Sequence, residues 1–134
     1  GATSFAGSDA ALKEEEAESA KKNCGDEGAF HVPAYISPIA IPFNLPGVDE
    51  LNLKPETIAK IFKGEIKKWN DPKIAAENQG VNLPSTAITP VHRSDESGTT
   101  GNFTDYLDAV APDVWTAGSV ETWPTEFGGE AGEA

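Results

Sequence analysis

Hydrophobic positions fall into short, separated groups along the chain, and the spacing inside each group predicts its local structure. Ile58, Ile61 and Phe62 recur at helical spacing behind Pro55, with Glu56 in the first turn and Gly64 beyond the end. That pattern predicts a short helix with proline at its first position. Asp71-Pro72 opens a second brief helix through Ile74 and Ala75, which Gly80 ends. Phe103, Tyr106, Leu107 and Val110 repeat at the same period and predict a longer helix with those residues on its apolar face. Near the start, Ser4-Phe5-Ala6 reads as the end of a strand and Gly7-Ser8-Asp9 as a tight turn. Ala10 to Lys22 follows as a helix with acids early and lysines late, capped by Ser8 or Asp9 and stopped at Asn23-Cys24-Gly25.

Other groups carry no helical period. Val32 to Leu45 is apolar but broken by Pro33, Pro38 and Pro42, so it reads as extended chain at a sheet edge or crossing between lobes, closed by a Pro46-Gly47 turn. Ala87 to Val91 reads as a strand. Beyond Pro112 the pattern thins to the anchors Val114, Trp115 and Trp123 and then to a tail, Gly128 to Ala134, expected to fray. Helices alternating with short strands, without an internal repeat, predict an α/β fold whose countable strands are few for one closed domain.

The densest chemistry lies in Val91-His92-Arg93-Ser94-Asp95-Glu96-Ser97-Gly98-Thr99-Thr100-Gly101, which turns the predicted strand directly into the predicted helix. Such a loop sits on a helix N-terminus, where orphan N–H groups and the positive end of the helix dipole favour an anion. Arg93 adds a planar fork that grips two oxygens at once. The same residues also make an ordinary N-cap, with Ser97 or Asp95 capping and Arg93 paired to Asp95. No lysine follows the glycine as in a nucleotide-binding P-loop, which argues against nucleotide hydrolysis.

Charge narrows the choice. Ten basic against 22 acidic residues give a net charge of −12, which repels nucleic acid and anionic membranes. An anion site here must work through short-range dipoles and hydrogen bonds. The single cysteine, Cys24, excludes an internal disulfide, and His31 and His92 share no metal-ligand spacing, so neither metal nor cofactor is expected. No segment approaches the length of a membrane span, and no signal peptide is expected at the N-terminus.

Three ordered motifs carry a family resemblance: Phe5-Ala6-Gly7-Ser8-Asp9-Ala10-Ala11-Leu12, Pro55 to Gly64 with Ile66-Lys67-Lys68-Trp69, and Arg93 to Thr100. In that order they resemble the substrate-binding protein of the bacterial high-affinity ABC phosphate importer. The resemblance implies a periplasmic-binding-protein type II-like α/β fold, in which two lobes joined by crossover strands close on one dehydrated phosphate. It assigns Arg93 as the guanidinium ligand and Asp95 as the carboxylate that orients it. Ser97, Gly98 and Thr99 become the donors at the helix start, and Asp9, after Ser8, the carboxylate acceptor. Phosphate near neutral pH still carries a proton for Asp9 to accept, and sulfate does not, so Asp9 is expected to set selectivity.

The resemblance also implies a permease partner and a location in the periplasm or, lipoprotein-tethered, on the cell surface. Family members run much longer than this chain and begin with a further phosphate-donating loop, so it is expected to be an internal segment. Residues 1–30 would then be part of a first lobe, 31–46 a crossover, 47–127 a second-lobe segment bearing the cradle, and 128–134 a flexible tail. The competing expectations are a site for sulfate or molybdate, and a non-binding fragment that self-associates through unpaired strand edges. A phosphatase-like enzyme using Ser97 or Thr99 lacks a base or metal set, so no catalysis is expected.

Overall fold

The computed structural model describes residues 4–132, leaving outside it the first three residues of the expected first-lobe segment and the last two of the expected tail. The chain divides into two compact units, Gly1–Ala40 and Ile41–Ala134. No helix among the described residues is long and apolar enough to cross a membrane.

The first unit is built around helix α1, Glu14–Cys24. It begins four residues later than the charge pattern predicts, because the start is set by Glu16: its carboxylate accepts the Lys13 backbone N–H at 2.8 Å. Ser8 does not cap the helix. Its hydroxyl turns back on Ala10, accepting from the amide at 3.2 Å and donating to the carbonyl at 2.7 Å. Glu14, Glu15 and Glu16 crowd the first turn and Lys21 and Lys22 the last, as the dipole favours. Gly25 ends the helix with φ 83°, a conformation that a side chain would strain. The strand expected at Ser4-Phe5-Ala6 is absent, and Phe5 is exposed. No described segment pairs with it, and a strand needs a partner for its backbone groups. From Val32 to Leu45 the chain forms neither helix nor ladder, in keeping with its prolines.

The second unit orders helix α2 (Pro55–Phe62), helix α3 (Pro72–Glu77), strand β1 (Val91–Arg93), helix α4 (Gly98–Val110), a 3₁₀ turn (Thr125–Phe127) and strand β2 (Glu130–Gly132). Local chemistry accounts for the helix starts. Pro55 and Pro72 occupy first positions, and the Asp71 carboxylate accepts the Lys73 N–H at 2.9 Å. Glu77 ties α2 to α3 by accepting from the Lys54 amide (2.8 Å) and the Thr57 hydroxyl (2.7 Å). Buried Asn78 accepts from the Asn52 amide and donates to the carbonyls of Asn52 and Ile74, at 2.7 to 2.8 Å.

The strand expected over Ala87 to Val91 is shifted. Pro90 has no N–H for a ladder, so pairing starts after it. Ala87 instead makes an isolated antiparallel bridge to Lys68. The partner of β1 is a second departure: β2, inside the stretch expected to fray, runs parallel to it with Val91 opposite Glu130 and Arg93 opposite Gly132. The return of chain between β1 and β2 contains α4, so the pair is a parallel unit joined by a helical crossover, the α/β arrangement predicted.

Two apolar clusters fill this unit. Ile61, Ile66 and Ile74 form one, between α2 and α3. Ala59, Leu107, Ala111, Trp115 and Trp123 form the other, with Phe62, Phe103 and Phe127 packed against it. The face of α4 turned to this core differs from the one its periodicity predicts. Leu107 is fully buried, but Tyr106 and Val110 are exposed, and the buried stripe is Thr100, Gly101, Thr104 and Leu107. Small residues take the core side because another segment of chain lies directly against them. Truncation of Trp115, 1% exposed, to Ala is expected to cost about 3 to 5 kcal/mol in urea unfolding, whereas Tyr106→Ala stays within about 0.5 kcal/mol.

Candidate functional site

The loop between β1 and α4 is held at both ends. On the strand side, the Ser94 amide donates to the Gly132 carbonyl at 3.1 Å, carrying the parallel pairing one residue beyond β1. On the helix side, Ser97 adopts an extended conformation (φ −141°, ψ 129°) and its Oγ accepts the Thr99 N–H at 3.2 Å. Ser97 is 5% exposed, so this cap is part of the interior. The Gly101 amide donates to the Ser97 carbonyl at 2.9 Å, the first helical bond. Gly98, Thr99 and Thr100 therefore stand in the first turn, whose N–H groups have no acceptor within the helix.

Arg93 closes the loop on itself. Its Nε donates to Asp95 Oδ1 at 2.7 Å and one Nη donates to Oδ2 at 2.5 Å, a two-pronged pair that engages one edge of the guanidinium and fixes its plane. The hydrogen bonds from Arg93 hold the Asp95 carboxyl below the usual aspartate range, and its partial desolvation opposes this only in part. Behind the loop, His92 lies flat on Trp123, with ring centroids 4.9 Å apart and planes 11° apart, and its Nδ1 is 2.8 Å from the Arg93 carbonyl.

The structure thus brings Arg93, Asp95, Ser97, Gly98 and Thr99 together on one strand-to-helix loop. Ser8 and Asp9 belong to the other unit, exposed on the turn that precedes α1. Both elements of the ordinary N-cap are present, since Ser97 caps and Arg93 pairs with Asp95. They do not compete with an anion site: a single hydroxyl satisfies one of the orphan donors, and a guanidinium held in plane by a carboxylate is oriented for a second acceptor.

Sequence patterning missed the segment Gly118 to Trp123. The Ser97 amide donates to the Glu121 carbonyl at 3.0 Å, and the Thr104 hydroxyl bonds to both backbone groups of Val120. The available signal was a threonine in the helical register of the buried stripe, a polar residue where an apolar one would serve packing better. An open recess of about 450 Å³ lined by Glu65, Lys67, Lys68, Asn70, Asp71 and Pro72 shares no residue with the loop. No group of three or more His, Cys, Asp or Glu among the described residues could hold a metal ion.

Comparison with known proteins follows the same stretch. The family described as a PBP superfamily domain matches residues 1–133. The chain is 46% identical over 131 residues to the "Phosphate-binding protein PstS 3" of Mycobacterium leprae, covering 98% of this chain and 34% of that protein. It is 45% identical over 123 residues to the "Phosphate-binding protein PstS 2" of Mycobacterium tuberculosis (90% of this chain, 33% of that one). Against the "Phosphate-binding protein PstS" of Pasteurella multocida it is 49% identical over 107 residues (75% and 31%). The chain spans about a third of the length of the curated relatives it matches.

The depressed Asp95 carboxyl sets a pH dependence. Its pairing with Arg93 contributes fully above the ordinary aspartate range and is lost only as pH falls through the lower folded-state value. Carboxyl-detected NMR should find Asp95 titrating below the ordinary range. In Arg93→Lys, which keeps the charge but loses the fork, the midpoint should move back up.

Proposed function

From the premise that this chain belongs to the PBP superfamily, we propose that it forms part of the phosphate site of a solute-binding protein serving an ABC phosphate importer. The observation that carries this is the place of the Arg93-to-Thr99 loop, an oriented guanidinium beside a helix N-terminus, inside a stretch 46% identical to a protein named as phosphate-binding. Ser97, Gly98 and Thr99 supply hydroxyl and backbone donors, Arg93 supplies the charged fork, and Asp95 holds it in plane. Ser8 and Asp9 are the further ligands proposed for the full-length protein. Asp9 accepts a hydrogen bond from the proton that phosphate retains near neutral pH and that sulfate and molybdate lack.

Binding by hydrogen bonds suits a chain of net charge −12, because a broad cationic field is absent and each oxyanion lone pair must be met individually. Capture proceeds by closure of two lobes on the anion, followed by docking on a permease, at the periplasm or cell surface. The role is binding and not turnover. Ser97 Oγ is buried and engaged as a cap acceptor, and the His92 ring is engaged by Trp123 and the Arg93 carbonyl, so neither is placed as nucleophile or base. A second reading, self-association of the isolated 134 residues, is favoured by the exposure of Phe30 (86%), Tyr35 (81%) and Ile36 (98%).

Calorimetry with phosphate and sulfate at equal ionic strength tests the site. In the full-length protein, Asp9→Asn should erase most of a phosphate preference of roughly 10⁴ to 10⁵, and an unchanged ratio would refute the role of Asp9. The 134 residues alone should bind at millimolar strength or not at all, since each missing charge-assisted hydrogen bond forfeits about 1.5 to 3 kcal/mol. Sedimentation velocity of the same chain should show concentration-dependent association that Ile36→Asp with Tyr35→Asp reduces. A strictly monomeric wild type would discard that second reading.

A further inference from the structure

Thr104 is completely buried, seven residues beyond the cap of α4, and its hydroxyl is fully used. Oγ1 donates to the Val120 carbonyl at 2.8 Å and accepts the Val120 N–H at 2.9 Å, with the Gly101 carbonyl 3.1 Å from the same oxygen. One side chain thereby replaces a strand partner, satisfying both backbone groups of a residue on the neighbouring segment. A buried hydroxyl that serves its own helix needs only a carbonyl in the preceding turn. Gripping a second segment through donor and acceptor together is a different arrangement, and it joins the helix to Gly118–Trp123.

The residue after Val120 is Glu121, whose carbonyl accepts the Ser97 amide at 3.0 Å. That bond settles which way the peptide before the cap faces. It directs the Ser97 N–H to this strap, and the first helical turn follows from there, with the Thr99 amide taken by the Ser97 hydroxyl and those of Gly98 and Thr100 without an acceptor inside the helix. The Glu121 side chain lies over Gly101, where an added Cβ would meet Glu121 Cγ at 2.9 Å and push that side chain aside. Trp123 anchors the far end of the strap in the aromatic core.

We propose that Thr104 is a positioning residue for phosphate, holding the Gly118–Trp123 strap on α4 so that the Glu121 carbonyl orients Ser97 and, through it, the donors at the start of the helix. The proposal rests on the phosphate reading above. Its force is geometric: anion sites built from fixed donors lose affinity steeply when the donors shift by a fraction of an ångström to an ångström.

The test uses the full-length protein and three variants. Thr104→Val keeps the shape and removes both hydrogen bonds, and phosphate affinity by calorimetry should fall about 10- to 100-fold. Thr104→Ser keeps the hydroxyl and should stay within about threefold, a rescue that loss of packing alone would not give. Thr104→Ala removes the same hydrogen bonds without placing a methyl against the Val120 backbone, so it should also weaken phosphate binding, and it keeps the proposal testable should the valine variant fail to fold. In ¹H–¹⁵N spectra without ligand, the Ser97 amide should lose its hydrogen-bonded shift and exchange faster in the valine and alanine variants but not in the serine variant. Wild-type affinity in a folded Thr104→Val or Thr104→Ala, with the Ser97 amide unmoved, overturns the positioning role while leaving the phosphate reading intact. A wild-type protein that does not bind phosphate overturns the reading and the proposal together, whatever the amide shows.

Discussion

The larger of the two clusters in the second unit, and the loop it supports, hangs on the contact between two tryptophans. Trp115 and Trp123 lie with ring centroids 5.7 Å apart, and both are nearly inaccessible to water. Each indole N–H finds a backbone carbonyl, Trp115 at Gly118 (2.9 Å) and Trp123 at Gly128 (3.1 Å), so burial of these large rings leaves no donor unmet. Phe62 of α2, Phe103 of α4 and Phe127 of the 3₁₀ turn pack edge-on into the same cluster, and His92 of β1 stacks on its outer face. The cluster is therefore the one place where α2, α4, β1 and the chain leading to β2 all meet. A two-stranded pair of three residues each has little stability of its own. It persists because its neighbours are nailed to these rings.

The site is a consequence of that anchoring. With His92 held on Trp123, the next residue, Arg93, leaves the strand at a defined point, and Asp95 takes its fork within the same loop. With Trp123 held in the core, the strap before it lies along the first two turns of α4, where Gly101 and Thr104 leave room for it. The small and hydroxylated residues of that helix face are a weak hydrophobic stripe. Their value is that the Thr104 hydroxyl reaches the Val120 backbone and the Glu121 side chain lies over Gly101, which an apolar stripe of leucines would prevent. The donor geometry at the helix start is thus set by contacts on the side away from the open turn.

Electrostatics acts locally in this protein. A net charge of −12 opposes any approaching anion, and the Arg93–Asp95 pair carries no net charge. Attraction at the loop comes from N–H groups and a shaped guanidinium, both of which discriminate by hydrogen-bond geometry. The first unit has a different character. Its helix α1 buries no residue, and the apolar side chains of the extended segment that follows stand in solvent.

Features determined by neighbours in sequence were legible in it. The starts of α2, α3 and α4 follow from Pro55, Asp71-Pro72 and Ser97, and the stop of α1 from Gly25, because capping and turn formation involve groups a few bonds apart. The five loop positions from Arg93 to Thr99 were legible as one cluster for the same reason. The start of α1 was misplaced where two local signals competed, Ser8 forming its own turn while Glu16 capped from inside the helix. What the sequence could not state was any pairing across distance: β1 with β2 in a stretch that reads as a fraying tail, the burial of Thr104 and Gly101 in preference to Tyr106 and Val110, and the strap that orients Ser97. Those outcomes depend on which surface a segment is pressed against. That is decided only when the tryptophans close the core, because burial is a property of the whole packed unit and not of any residue's own neighbourhood in the chain.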